Sequence, residues 1–110
     1  MSVIFETRRL YVAPRKSVLF FAKVGGQRLR CYVKEDALIE PARGLREDAD
    51  MYQRCLLAFD ERRDAIEAAA TRLIEAKVME SDGAVIISRT ALALEAEPPL
   101  SALSVKDETN

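Results

Sequence analysis

Residues 17–33 read SVLFFAKVGGQRLRCYV, two alternating runs on either side of Gly25-Gly26. A glycine pair between such runs predicts a tight β-hairpin, because the favoured two-residue turn needs positive φ at both central positions. With a two-residue loop, Ala22 faces Leu29, Phe20 faces Cys31 and Val18 faces Val33. That set is wholly apolar and is assigned to the core. The opposite face pairs Lys23 with Arg28, Phe21 with Arg30 and Leu19 with Tyr32. It is basic and half apolar, so another element, a second subunit or a ligand is expected to cover or touch it.

Working outward, residues 2–12 hold one strand or two short ones. Thr7-Arg8-Arg9 breaks the apolar pattern and leaves the register open. Ala13-Pro14-Arg15-Lys16 is a turn, since Pro14 fixes φ and removes a donor. After Val33 the period changes. Residues 35–40, EDALIE, predict a short helix with two carboxylates at its positive end. Lys34 stands where a capping Ser, Thr or Asp is preferred. Pro41 ends this helix and Gly44 allows the following turn.

A long helix is predicted over 48–79. Asp50 and Gln53 have capping-box spacing, with Asp48 as a rival cap. Its stripe is Tyr52, Cys55, Leu56, Phe59, Ile66, Ala69, Ala70, Leu73 and Ile74, at intervals of three and four. Arg63 interrupts that stripe. It must reach water or a carboxylate, with Glu35 and Asp36 as candidate partners, or else bind an anion at a pocket edge. Ala68-Ala69-Ala70 allows close approach to a sheet or another helix. Ser81-Asp82-Gly83 stops the helix, and residues 84–88 form a strand apolar enough to be buried on both faces. Residues 89–96 are a short helix or a strand extension. Residues 97–110, which begin Glu-Pro-Pro, are expected to be a flexible, loosely docked tail. The whole predicts one α+β domain over 1–96. A small antiparallel sheet, built from the N-terminal strand, the hairpin and the C-terminal strand, packs against one long and one short helix.

The 110 residues suit a single core. At 49% apolar and 32% charged, with a net charge of −1, the composition is that of a globular domain. The charge is unevenly spread. Residues 1–34 carry eight basic side chains against one acid, and the remainder is acidic. Either the basic sheet meets an anionic partner, or it lies beside the acidic helices of the same chain or its twin.

The chain has two cysteines and no histidine. This removes imidazole metal ligands, Cys-His nucleophile pairs and Ser-His-Asp triads within one chain. Cys31 and Cys55 fall on apolar faces and are expected to be buried thiols. No metal or cofactor is expected. Gly25-Gly26 is followed by a strand and is no phosphate loop. Carboxylate pairs such as Asp60/Asp64 sit among arginines and suit a salt-bridged helix face. Only Val3 to Phe5 are apolar before charge appears, and no run approaches the ~20 residues of a membrane span. No membrane association and a cytoplasmic location are therefore expected.

One combination of residues is more specific. Val18-x-Phe20-x-Ala22, Gly26, Leu29-x-Cys31-x-Val33 and Ala37-Leu38 precede Phe59, Arg63, Ile66, Glu67 and Ala70. The strand around Val85-Ile86-Ile87 follows. This order over roughly 17–90 resembles a family of short proteobacterial proteins catalogued as domain of unknown function 1488. The resemblance implies a compact, cytoplasmic, bacterial α+β fold with no established activity or cofactor. It marks Cys31 and Arg63 as recurring positions. This chain departs from the pattern with Gly25 where aspartate is usual, Lys34 where a small hydroxyl residue is usual, and a longer insertion around 41–54.

The function expected from these readings is a non-catalytic cytoplasmic interaction or accessory domain that forms a homodimer. The alternative is a binder of nucleic acid or of an anionic ligand. It would use the basic aromatic sheet face, with Lys23, Arg28, Arg30, Tyr32 and Arg63 as the binding residues. An enzyme working through carboxylates, lysine or arginine is a third reading.

Overall fold

The computed structural model describes residues 2–39 and 49–96. The expectations for Pro41, Gly44, the 41–48 part of the insertion and the 97–110 tail lie outside these residues. Strand β1 (Val3–Val12) leads through a 3-10 turn (Ala13–Arg15) into β2 (Ser17–Val24) and β3 (Gln27–Lys34). Helices α1 (Glu35–Leu38), α2 (Ala49–Glu61) and α3 (Arg63–Glu75) follow, then β4 (Val85–Ile87) and α4 (Arg89–Ala96). The sheet order is β1-β2-β3-β4.

The hairpin forms in the expected register, with Ala22 opposite Leu29, Phe20 opposite Cys31 and Val18 opposite Val33. Gly25 and Gly26 take φ of 57° and 84°. Positive φ at both positions defines the mirror-image turn that matches strand twist. The inward residues Val18, Phe20, Ala22, Cys31 and Val33 are fully buried.

β1 is one strand with an irregularity where the sequence left its register open. Phe5 pairs with Ala22 and Arg9 with Phe20, so residues 6–8 of β1 stand against Phe21 alone. The extra residues are even in number, so Phe5, Arg9 and Tyr11 all stay on the helix side. Phe5 packs on Phe20, and Phe20 on Phe59 of α2, with centroids 6.0 and 5.2 Å apart. Tyr11 stacks on Tyr52 of α2 at 4.3 Å.

Two architectural details differ from expectation. The C-terminal strand lies parallel to β3, with Cys31 opposite Val85 and Val33 opposite Ile87, so the sheet is mixed rather than antiparallel. A parallel neighbour needs a crossover, and helices α1 to α3 supply it. The single helix expected over 48–79 is two helices broken at Arg62, whose φ of −113° and ψ of 20° leave the helical region. The Arg62 guanidinium donates to the Ala37 carbonyl at 2.9 Å, which ties the break to α1. Ile66, Ala69, Ala70 and Ile74 of α3 still continue the buried stripe. The small alanines therefore serve close packing within the chain.

α3 ends in a Schellman motif. The Lys77 amide donates to Ile74 O at 3.0 Å and the Val78 amide to Leu73 O at 2.9 Å, with Lys77 at φ 60°. Residues 89–96 are helical. Ser88 caps them, its Oγ accepting from the Ala91 amide at 3.2 Å.

Candidate functional site

The helices cover one face of the sheet. Across the other face, Leu10 stands opposite Leu19, Leu19 opposite Tyr32, and Tyr32 opposite Ile86. These pairings make one apolar row spanning all four strands. Phe21, Lys23, Arg28, Arg30 and Lys34 share this outer face by alternation along the strands. None of the described helices lies over it.

The arginines themselves shield the rings. The Arg28 guanidinium sits 3.8 Å from the centre of the Phe21 ring, and that of Arg15 sits 4.0 Å from the centre of Tyr32. Tyr32 keeps only 5% of its surface exposed. Cation–π attraction favours this placement, and the arginine stems bury apolar area. Arg28 is fixed further by a two-pronged bond to Glu6 at 2.8 and 2.9 Å. Hydrogen bonding from Arg28 pulls the Glu6 carboxyl below its usual range. Arg30 pairs with Asp82 at 3.3 Å. The Asp82 carboxyl is also held low, chiefly by the Ala84 amide that donates to it at 3.0 Å.

Lys23, Arg28, Arg30 and Tyr32 therefore share one surface, as the hairpin register requires. Arg63 is not with them. It lies on the helix side, where its Nε donates to Glu67 at 2.8 Å. Its other nitrogens donate to the carbonyls of Glu6 at 2.5 Å and Thr7 at 3.2 Å. It thus satisfies the acceptors exposed by the irregularity in β1. The expected partners Glu35 and Asp36 are not used. Glu35 instead accepts from the Tyr11 hydroxyl at 2.5 Å. Arg63 also lies near the Phe59 ring, 5.1 Å from its centre.

Arg9, which the sequence did not single out, forks onto Asp60 of α2 at 2.8 and 2.7 Å. Only the unassigned register of β1 hid it. The Asp60 carboxyl is held low by this hydrogen bond. The thiols move the other way. Burial pushes Cys31 up to about 12, and Cys55 up to about 11 with help from the nearby Glu35 charge. Both are free and buried. No group of three or more metal-ligating side chains occurs among the described residues, and no described helix is long and apolar enough to cross a membrane.

Concavities lie at the two ends of the sheet. A cleft of about 310 Å³ beside the Pro14 turn is bordered by Arg15, Lys16, Lys34, Glu35 and Asp36. Another of about 190 Å³ lies between α1, Arg62 and α4. At the hairpin end, a cleft of about 300 Å³ is walled by Val24, Leu29, Ile74 and Met79, with Gln27 and Lys77 at its margin.

A mixed four-stranded sheet with this helix arrangement defines a small α+β domain. The chain belongs to the family described as "Protein of unknown function (DUF1488)", which it matches over residues 3–87. Its fold is similar to that of a protein of unknown function from the same family, from Shewanella loihica PV-4. The TM-score is 0.68 at 24% identity, covering 80% of this chain and 93% of that one. No curated protein matches the chain.

Proposed function

We propose that this chain is a non-catalytic interaction domain, and that the outer face of its sheet receives a protein partner with an apolar centre and an acidic rim. The observation that carries this reading is the row Leu10–Leu19–Tyr32–Ile86 across four strands. A sheet face built for water alternates to polar residues. This one sets leucine, tyrosine and isoleucine in a row across its centre, with lysines and arginines beyond them. An apolar centre with a charged margin is the usual anatomy of an interface.

The margin selects the partner by charge. Arg15, Lys23, Arg28, Arg30 and Lys34 outnumber Glu6 and Asp82. An acidic counterpart fits, and Arg28 and Arg30 can exchange their own carboxylates for those of the partner. A second copy docking here through a two-fold axis would set like charge against like. Self-association, part of the same reading, therefore needs another surface.

Single-stranded nucleic acid is the competing ligand for the same cations. Its bases would first have to displace Arg15 and Arg28 from the rings on which they would stack. The non-catalytic reading is supported by the titrating groups. Glu6, Asp60 and Asp82 are all held ionised, the opposite of what a carboxyl acid needs at neutral pH. The thiols are held protonated, away from nucleophilic use. Two buried cysteines placed on apolar faces, with no disulfide framework, also suit a cytoplasmic setting.

The test is fluorescence anisotropy with a labelled peptide of alternating glutamate and leucine, set against a labelled single-stranded oligonucleotide. Salt-sensitive peptide binding that Leu19→Asp abolishes is expected. Preferential binding of the oligonucleotide would transfer the surface to nucleic acid, and binding of neither probe would remove the reading.

A further inference from the structure

The hairpin end of the molecule presents apolar groups of a different kind. Val78 and Met79 are consecutive, and 54% and 38% exposed. They project from a segment that the backbone holds firmly. On one side are the Schellman bonds of Lys77 and Val78; on the other, the Glu80 amide donates to Ala84 O at 2.8 Å. Lys77 is held at positive φ within this segment, a conformation that non-glycine residues adopt only at a cost. Met79 itself forms one wall of the cleft of about 300 Å³ that opens here, and the buried core residues Leu29 and Ile74 form others. A rigid apolar projection next to an apolar recess is the self-complementary pattern that a two-fold contact requires.

The charges agree with a second copy. Lys77 and Glu80 bracket Val78-Met79 with opposite signs, and neither has an ion-pair partner among the described residues. In a two-fold contact through this segment, Lys77 of each copy meets Glu80 of the other. The outer sheet face, with its excess of cations, has no such balance.

We propose that two copies of this chain associate through the hairpin end, Val78 and Met79 of each lying against the cleft walled by Val24, Leu29 and Ile74 of the other. This contact gives the self-association of the proposed function a surface of its own, separate from the outer sheet face, so the peptide-binding test and the sedimentation test can fail separately.

Sedimentation velocity from micromolar to millimolar concentration tests it. A reversible dimer is expected. Met79→Asp places a charge in the apolar contact and should weaken association by at least about tenfold, while circular dichroism, and the melting temperature at concentrations low enough for both proteins to be monomeric, stay unchanged. Leu19→Asp on the outer face should leave the dimer intact. Lys77→Glu and Glu80→Lys should each weaken it, and the double exchange should restore it. A monomer at every concentration overturns the proposal. So does a dimer that tolerates Met79→Asp, or one that Leu19→Asp dissociates.

Discussion

Arg63 shows how one side chain can join a helix to a strand. An irregular strand leaves carbonyls without ladder partners, and buried acceptors without donors are costly. Three nitrogens of one guanidinium serve the Glu6 carbonyl, the Thr7 carbonyl and the Glu67 carboxylate. Lysine offers a single nitrogen and cannot span the same set. Arg63→Ala and Arg63→Lys should both destabilise the domain, the alanine variant by about 2 kcal/mol, a fall of roughly 10 °C in melting temperature. Thermal unfolding followed by circular dichroism measures this. A residue used only to bind an anion would leave the melt unchanged. The arginine was visible in the sequence as an interruption of an apolar stripe. Its partners were not, because they are backbone atoms of a segment whose register depends on tertiary pairing.

At the scale of elements, the hairpin was the most legible part, since its alternation and glycine pair agree. The turn can be tested directly. Open space surrounds both glycines, so any cost of substitution is that of the backbone alone. Gly26→Ala should cost about 1 kcal/mol. Gly25→Asn should change stability by less than about 0.5 kcal/mol, because asparagine tolerates the left-handed region. Urea denaturation of the two variants separates these outcomes. The helix break at Arg62 was less legible. No proline or glycine marks it, and the signal is a long-range bond to Ala37 O. The parallel placement of β4 could not be read from a three-residue run, since periodicity gives burial and not direction. The apolar row was half visible. Leu19 and Tyr32 followed from the hairpin register, but Leu10 and Ile86 entered only with the pairing of the outer strands.

For the whole molecule, the uneven charge along the chain becomes a set of ties between its parts. Glu6–Arg28 joins β1 to β3, Arg9–Asp60 joins β1 to α2, and Arg30–Asp82 joins β3 to the approach to β4. All three carboxyls titrate below their unfolded values. Such groups stabilise the fold above the unfolded pKa, and that contribution is lost as pH falls through the folded pKa. Stability should therefore hold from neutral pH to roughly 4.5 and decline below it. Asp60→Asn should make the acid decline shallower and cost less than about 1 kcal/mol at neutral pH, since the pair is partly exposed. Denaturant midpoints across a pH series measure both effects.

The parallel β4 also sets an order of assembly. Strands β1 to β3 are neighbours in sequence and can zip together as soon as residue 34 is available. The open flank of β3 has no strand to receive until Val85–Ile87 has been made and carried back over the helices. Closing that long loop is the entropically slow step. Until then the backbone of β3 offers unpaired groups to any extended chain nearby. A newly made chain is thus exposed to mispairing along this flank, and the last dozen or so described residues act as its seal.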